Sequence, residues 1–336
     1  MRHIGLDQVG GLRMDWSNGL RSLRRGLGTA SRAAVARLEA DWPALTPTRV
    51  SVQGRFAVLP EFGPNPGHLQ LRAYVPPVPV RDGAPLVVLL HGCGQDAASF
   101  AAEAGWTALA DRLGLPLVLP EQQERNNPQR CFQWYAPNDT ERGHGEAGSI
   151  AAMITAAAAC FGSDQRRIFV AGLSAGGAMA AALLAAYPDL FAAGAVCAGL
   201  PVGSACSMIQ ALARMAHGAP ERDTDEWIAR VRRLAPSGYS GAWPRLSVWH
   251  GEADEIVVAE NGRKLAAQWR ALHGLPAAPS AESRFHQAWG DAVELWMFPG
   301  FGHAWPVGRS VGLPARFTAP APAVAIEEIA RFWGIA

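Results

Sequence analysis

Short, continuous apolar runs separated by longer helix-forming stretches constrain the fold of this chain more than any other feature of its sequence. The runs at residues 86–90 (LVVLL) and 168–171 (IFVA) lack polar alternation, which is typical of strands covered on both faces. Strands that alternate with helices indicate a mostly parallel sheet. The pattern predicts strands over 50–58, 68–75, 86–91, 115–120, 167–171, 193–198, 245–250 and 293–298.

The stretches between these runs predict helices on both faces of an eight-stranded sheet. The first two strands are an exception, because only a Gly- and Pro-rich turn at 63–67 joins them. That turn is too short for a helical crossover, so these strands are expected to form an antiparallel pair at the sheet edge. The predicted helices are 99–113, 146–160, 175–187, 259–273 and 321–333.

Two segments fall outside the strand–helix alternation. Residues 1–48 begin with a basic stretch in which 20–40 can form a helix, so they are interpreted as an N-terminal helical extension of a catalytic domain at 49–336. Packing on that domain is the first interpretation, and membrane binding through a basic amphipathic helix is the alternative. Residues 199–244, between the sixth and seventh strands, are predicted to form a small helical cap over the active site.

Composition excludes several classes of protein. The 336 residues carry a formal net charge of +1, and 49% of them are hydrophobic, which is typical of a compact enzyme and not of a nucleic-acid-binding domain. The apolar stretches at 151–161 and 175–187 are too short to span a bilayer, so no transmembrane segment is predicted. Arginines interrupt residues 1–30, which therefore lack the apolar core of a signal peptide and predict a cytoplasmic protein.

The five cysteines have no C-x-x-C spacing and predict no zinc site. Buried free thiols are the default interpretation for a cytoplasmic protein. No metal or organic cofactor is expected, and the oligomeric state does not follow from the sequence.

The G-x-S-x-G motif at residues 172–176 centres on Ser174. It directly follows an apolar strand and directly precedes an Ala-rich, helix-forming stretch, which is the context of a nucleophile elbow in the α/β-hydrolase fold. The small flanking residues relieve crowding at a strained turn that exposes the serine hydroxyl. An ordinary Gly-rich turn is the competing interpretation, and the strand–turn–helix context favours a nucleophile.

A serine nucleophile needs a base and an acid, which in this fold follow it in the order Ser, acid, His, each after a later strand. Asp254 follows the strand ending at His250, and His303 follows the last strand. All three should therefore meet at the carboxyl edge of the sheet. The competing side chains are interpreted as structural or solvated: Glu252, Glu255, His250, His273 and His286.

The loop at residues 91–95 (HGCGQ) follows the third strand. In this fold the oxyanion hole takes one backbone N–H from that loop and one from the residue after the nucleophile. These donors are predicted to be Cys93 and Ala175.

Five motifs together resemble the poly(3-hydroxybutyrate) depolymerase-type esterases, a family that includes feruloyl and acetylxylan esterases. The resemblance covers about residues 50–310 and implies an α/β-hydrolase fold, ester hydrolysis without a cofactor, and a triad on Ser174, Asp254 and His303. It also implies a disulfide between Cys93 and Cys131, and secretion as the alternative localisation. The motifs are His91-Gly92-Cys93-Gly94-Gln95, Pro120-Glu121-Gln122, Arg130-Cys131-Phe132-Gln133-Trp134, Gly172-Leu173-Ser174-Ala175-Gly176-Gly177-Ala178-Met179 and Gly302-His303-Ala304-Trp305.

The leading hypothesis is a serine carboxylesterase that cleaves short-chain or hydroxyalkanoate esters through an acyl-enzyme. The alternatives are a feruloyl or acetylxylan esterase, an acyltransferase on the same triad, and a binding protein on a hydrolase fold, which intact Ser174, Asp254 and His303 argue against. Trp134 and Trp305 are predicted to line the substrate pocket, with packing of the loop base as the competing role for each.

Overall fold

The computed structural model describes residues 56–58, 62–308 and 315–336. The predicted extension at 1–48 lies outside these residues, and β1 (Phe56–Val58) is the described end of the predicted first strand. None of the helices in the described ranges is long and apolar enough to cross a bilayer.

A ten-stranded sheet organises the described chain, in the order β1-β2-β4-β3-β5-β6-β7-β10-β9-β8. Its six inner strands, from β4 to β10, are parallel, and the pairs at both edges are antiparallel. The predicted mostly parallel sheet and the antiparallel first pair are confirmed. The strands after β1 are β2 (Gln70–Tyr74), β3 (Leu86–Leu90), β4 (Leu117–Glu121), β5 (Ile168–Leu173), β6 (Ala193–Cys197), β7 (Arg245–Gly251), β8 (Ala281–Glu282), β9 (His286–Trp289) and β10 (Val293–Phe298).

The predicted count of eight strands is wrong, because the hairpin of β8 and β9 extends the sheet beyond β10. Both residues of β8 are exposed, and three of the four in β9 are only half-buried. An edge hairpin of this kind buries too little apolar surface to produce an apolar run in the sequence.

Helices cover both faces of the sheet. The predicted helix over 99–113 is two helices, α1 (Ala97–Glu103) and α2 (Trp106–Leu113), because Gly105 has a φ of 86°, a left-handed conformation that a helix cannot continue through. The others are α3 (Pro137–Thr140), α4 (Gly145–Phe161), α5 (Ala175–Ala186), α6 (Met208–His217), α7 (Thr224–Leu234), α8 (Glu260–Leu272) and α9 (Ala325–Trp333).

Side chains of the inner strands alternate between two apolar cores. In β3, Leu86, Val88 and Leu90 join the core under α4, α5 and α8, whereas Val87 and Leu89 join the core under α1, α2 and α9. Burial on both faces explains why the inner strands have continuous apolar sequences. Because the inner strands are parallel, the loops after β3, β4, β5, β7 and β10 leave the same edge of the sheet.

The segment 199–244 between β6 and β7 contains α6 and α7, and hydrogen bonds fix it to α8. The side chain of Gln268 bonds both the N–H and the carbonyl of Val202, and Asn261 accepts the N–H of Ala219. Helix α8 directly follows the loop that carries Asp254, so this segment lies beside that loop. Its role as a cap stays a prediction.

Candidate active site

Ser174 occupies the turn between β5 and α5 in a strained backbone conformation. Its φ of 57° and ψ of −119° are rare for a residue with a side chain. The turn is held because the Ser174 N–H donates to the carbonyl of Cys197 (2.9 Å) and the Ser174 carbonyl accepts the N–H of Ala178 (2.9 Å). The hydroxyl is therefore presented at the N-terminus of α5, where the helix dipole favours negative charge.

The motif glycines permit a close approach of backbones around this turn. A Cβ at Gly176 would lie 2.2 Å from the carbonyl oxygen of Leu90, and a Cβ at Gly172 would lie 2.3 Å from that of Gly176. No side chain fits at such distances, so the motif is required by packing against the end of β3.

The predicted acid and base are hydrogen-bonded to each other. His303 Nδ1 lies 2.7 Å from Asp254 Oδ2, and the two side chains are 7% and 0% exposed. Oδ1 of Asp254 accepts the N–H groups of Ile256 (2.9 Å) and Val257 (2.8 Å). Because Nδ1 faces a carboxylate, it carries the proton and leaves Nε2 as the basic nitrogen.

Electrostatics keep Asp254 ionised. Burial by itself raises the pKa of this carboxyl, but the charge of His303 and hydrogen bonds from His250 and His303 outweigh burial and hold the pKa well below its ordinary value. A carboxylate in this state can orient a neighbouring imidazole and stabilise it when it is protonated.

The acid loop and the His303 loop are joined through their backbones. The N–H of Ala253 donates to the carbonyl of Phe301 (3.0 Å) and that of Glu252 to Phe298 (3.0 Å). A Cβ at Gly251 would lie 2.1 Å from the carbonyl oxygen of Phe301, so glycine is needed where the two loops cross.

The loop after β3 lies against Ser174. A Cβ at Gly92 would be 3.6 Å from Cβ of Ser174. The N–H of Gly92 donates to Gln95 Oε1 (2.8 Å) and that of Gly94 to the carbonyl of Gln129 (2.7 Å), whereas the N–H of Cys93 finds no acceptor among the described residues. This arrangement suits the predicted role of Cys93 as an oxyanion donor, together with Ala175 as the first residue of α5.

A buried neutral histidine supports this loop. His91 Nε2 accepts the N–H of Gln122 (3.1 Å), so Nδ1 carries the proton and donates to the carbonyl of Gly92 (2.8 Å). Burial lowers the pKa of His91, which keeps the ring neutral and suited to both bonds.

A disulfide connects the loops after β3 and β4. The sulfur atoms of Cys93 and Cys131 are 2.07 Å apart, in agreement with the pairing that the family resemblance implies. Cys160, Cys197 and Cys206 are free. The disulfide therefore links Cys93, whose backbone N–H is the predicted oxyanion donor, to the loop that leads to Trp134.

We expect Cys131→Ser to lower the free energy of unfolding by about 4 kcal/mol, because the cross-link that closes a loop between residues 38 positions apart is lost. Urea denaturation of the variant and of wild type measures the difference. Cys160→Ser, at an exposed free cysteine, is the control and should change little. Equal stability of Cys131→Ser and wild type would mean that the bond does not form.

A buried carboxyl joins the disulfide loop to α4. Glu146 Oε1 accepts a hydrogen bond from Gln122 Nε2 (2.5 Å), and Oε2 accepts the N–H of Gln133 (2.8 Å). Burial, followed by the charge of Asp139, raises the pKa of Glu146 to about 8. In the sequence, Glu146 looks like any acidic residue in the first turn of a helix. No sequence pattern therefore predicted its hydrogen bonds to the disulfide loop.

The protonation of Glu146 predicts a loss of stability with rising pH. An unfolded Glu titrates near about 4.3, and the folded protein holds the proton up to about pH 8. The contribution of the protonated carboxyl to the free energy of unfolding is therefore fully present below about pH 4 and is lost as the pH rises from about 4 to 8. The contribution is on the order of a few kcal/mol.

Urea denaturation at pH 5 and pH 8 measures this effect against Glu146→Gln, in which that part of the pH dependence should disappear. Glu141→Gln, at an exposed position nearby, should keep the wild-type dependence. An unchanged pH dependence in Glu146→Gln would show that another group is responsible.

The prediction that Trp305 lines the pocket is wrong. Trp305 begins β11 (Trp305–Val307), which pairs with β12 (Thr318–Pro320). Its side chain is 0% exposed and packs between the rings of Phe100 (5.6 Å) and Trp106 (6.1 Å). Closeness to His303 in sequence does not place it at the site, because β11 turns the ring into the core.

Trp134 is half-buried and belongs to a small apolar cluster between the nucleophile helix and the acid loop. The buried members are Ala178, Leu200 and Val257, and the partly exposed ones are Trp134, Met215 and Ile256. Ala178 lies one turn after Ser174, and Val257 donates to Asp254. The sequence indicated Trp134 but not Ile256, since the short apolar run at residues 256–258 does not show which of its side chains faces the site.

Esterases and a poly(3-hydroxyalkanoate) depolymerase are among the known proteins similar to this chain. It is 38% identical over 261 residues to the poly(3-hydroxyalkanoate) depolymerase C of Paucimonas lemoignei, a match covering 75% of this chain and 62% of that protein. It is 30% identical over 266 residues to feruloyl esterase B of Talaromyces funiculosus, covering 75% and 74%. An acetyl xylan esterase from Aspergillus awamori has the same fold, with a TM-score of 0.72, 24% identity, and coverage of 84% of this chain and 100% of that one.

The fold and these relatives define the class: the protein is a carboxylic ester hydrolase with an α/β-hydrolase fold. The family described as Esterase PHB depolymerase matches residues 69–287. The chain belongs to that family, and the predicted fold, family and class of enzyme are confirmed.

Proposed function

We propose that the protein is a serine carboxylesterase that hydrolyses short-chain and hydroxyalkanoate esters through an acyl-enzyme on Ser174. The observation that carries the proposal is the 2.7 Å bond between His303 Nδ1 and Asp254 Oδ2, together with the strained turn at Ser174 on the same edge of the sheet.

In the proposed mechanism, Nε2 of His303 takes the proton of the Ser174 hydroxyl as the oxygen attacks the ester carbonyl. The N–H groups of Cys93 and Ala175 stabilise the oxyanion, and a donor of this kind contributes about 3–4 kcal/mol in the transition state. His303 returns the proton to the leaving alcohol. Water, activated by the same imidazole, then releases the acid and regenerates Ser174.

The apolar cluster of Trp134, Met215 and Ile256 supports a neutral acyl group as the substrate. The named side chains carry no charge, which suits an aliphatic or aryl ester and disfavours a charged phosphoester. Met215 lies on α6, and its carbonyl accepts the N–H of Val258 (2.9 Å), so the segment 199–244 would form one wall of the pocket. The similarity to a poly(3-hydroxyalkanoate) depolymerase supports hydroxyalkanoate esters.

A panel of esters tests the substrate. Hydrolysis of p-nitrophenyl acetate, butyrate and decanoate, hydroxybutyrate trimer and methyl ferulate would be compared, with Ser174→Ala as the blank. The acetate, butyrate and trimer should be cleaved fastest. Preference for methyl ferulate would favour the feruloyl esterase alternative, and decanoate cleavage without trimer cleavage would contradict the proposed cleft. Product analysis with an added alcohol separates hydrolysis from acyl transfer.

Met215→Trp should reduce kcat/KM for butyrate relative to acetate by about tenfold, because the larger ring fills space that the longer acyl chain needs. Ile209→Trp, on the same helix with a side chain that is 61% exposed, is the matched control and should leave the ratio unchanged. An unchanged ratio in Met215→Trp would show that Met215 does not line the acyl pocket.

The Cys93–Cys131 disulfide supports the secreted alternative over the expected cytoplasmic localisation, because such bonds persist in oxidising compartments. Alkylation directly on isolation, in a denaturant that exposes the buried Cys197, should modify three cysteines if the bond is present and five if it is reduced.

A further inference from the structure

A second histidine, His250 on β7, contacts the same carboxylate as His303. His250 Nε2 lies 2.7 Å from the carbonyl oxygen of Val257 and 3.4 Å from Oδ2 of Asp254. The side chains of His250 and Asp254 are both 0% exposed. The sequence predicts a structural role for His250, and this residue takes no part in the proposed proton transfers.

The neighbours of the ring define its tautomer. Both atoms beside Nε2 are acceptors, so Nε2 carries a proton and shares it between Val257 and Asp254. Nδ1 is buried and has no hydrogen-bond partner in the described part of the chain. The polar interactions of His250 are therefore concentrated on the acid loop.

The carboxylate of Asp254 has donors at both oxygens. Oδ1 accepts the backbone N–H groups of Ile256 and Val257. Oδ2 faces His303 Nδ1 at 2.7 Å and His250 Nε2 at 3.4 Å. The oxygen that orients the catalytic imidazole is thus the one that His250 also approaches.

Helix α8 packs directly against the imidazole ring of His250. A Cβ at Gly262 would lie 2.6 Å from His250 Nδ1 and 3.0 Å from His250 Cβ, so the glycine permits close contact between helix and ring. A ring confined in this way cannot move away from the carboxylate without displacing α8.

We propose that His250 is a positioning residue for the catalytic acid: its Nε2–H holds the 254–257 loop through Val257 and balances part of the Asp254 charge that faces His303. The proposal rests on the proposed function, since it assumes that Asp254 and His303 act in catalysis.

The expected effect follows from the charge on Oδ2. Without His250, the full charge of that oxygen acts on the His303 imidazole and favours its protonated form, which cannot accept the Ser174 proton. The acid limb of the kcat/KM profile should then move up by about half to one pH unit. A loop that is no longer fixed should also lower kcat by about tenfold or more.

Other ionisable groups near the ring are accounted for. The buried thiol of Cys197 at the end of β6 donates to the carbonyl of Ala304 (3.4 Å). On α8, Arg263 pairs with Glu252 (2.9 Å) and Lys264 with Glu221 (2.5 Å). Among the described residues, Asp254 is the carboxylate that His250 contacts.

The test compares His250→Leu with His250→Gln, whose side-chain amide retains an N–H near the position of Nε2. Leu should shift the acid limb and lower kcat, and Gln should restore both toward wild type. His273→Leu is the matched control, because His273 Nε2 lies 3.2 Å from the carbonyl oxygen of Pro244 and has no contact with the triad. His273→Leu should lower the free energy of unfolding but leave the acid limb of the kcat/KM profile at its wild-type pH.

Gly262→Ala keeps the proposal testable if His250→Leu does not fold, because the added methyl would displace the imidazole. It should shift the acid limb in the same direction as Leu. A folded His250→Leu or Gly262→Ala with a wild-type pH profile and kcat would overturn the proposal. Failure of the proposed function is a separate result, since it would appear as full activity in Ser174→Ala.

Discussion

Replacement of Ser174 by Ala is expected to lower kcat/KM for p-nitrophenyl acetate by about four to six orders of magnitude. The variant retains the turn, because its bonds to Cys197 and Ala178 use only the Ser174 backbone. It lacks the oxygen that would form the acyl-enzyme. The melting temperature should therefore stay close to that of wild type.

Ser204→Ala is the matched control for this experiment. Ser204 is as buried as Ser174, at 3% against 5% exposure, and its hydroxyl has no hydrogen-bond partner among the described residues. Mass spectrometry after a fluorophosphonate inhibitor should place the adduct on Ser174. Activity of Ser174→Ala within tenfold of wild type would rule out the acyl-enzyme mechanism.

Asp254→Asn is expected to lower kcat by about 10⁴-fold. The N–H groups of Ile256 and Val257 fix an oxygen at the Oδ1 position, so the amide nitrogen of Asn must take the Oδ2 position. There it donates to His303 Nδ1, and the proton of the neutral imidazole moves to Nε2. Nε2 then cannot accept the proton of Ser174.

Glu252→Gln serves as the control for Asp254→Asn. Glu252 lies two residues away, and its pair with Arg263 is exposed, so its loss should change kcat less than about twofold. A comparably small loss in Asp254→Asn would assign the acid role to another carboxylate.

The sequence predicted Ser174, Asp254 and His303 as a triad because apolar runs mark the strand ends, and each of these residues follows such an end. The same logic failed for Trp305, where a new short strand begins within two residues of His303. It also missed the hairpin of β8 and β9, whose residues are mostly exposed or half-buried and have no apolar periodicity.

Contacts between distant loops were beyond the reach of sequence patterns. Glu146 and His250 are single polar residues in ordinary local contexts. The bonds of Glu146 form only when the loop after β4 packs on α4, and those of His250 form only when the loop after β7 folds back against the strand. A pattern reports which face of an element is buried, but not which polar groups meet across the gap between elements.

The interleaved strand order has a consequence for biosynthesis. Strand β10 pairs with β7 in the sheet but is made after it, and the ribosome releases the turn at Ser174 long before the segment that carries His303. Chains grow at about 5–20 residues per second and fold from the N-terminal side. If Ser174 and His303 act as proposed, a nascent chain that has folded the Ser174 turn still lacks its base until β10 docks, so ester cleavage is expected only after residue 303 has left the ribosome.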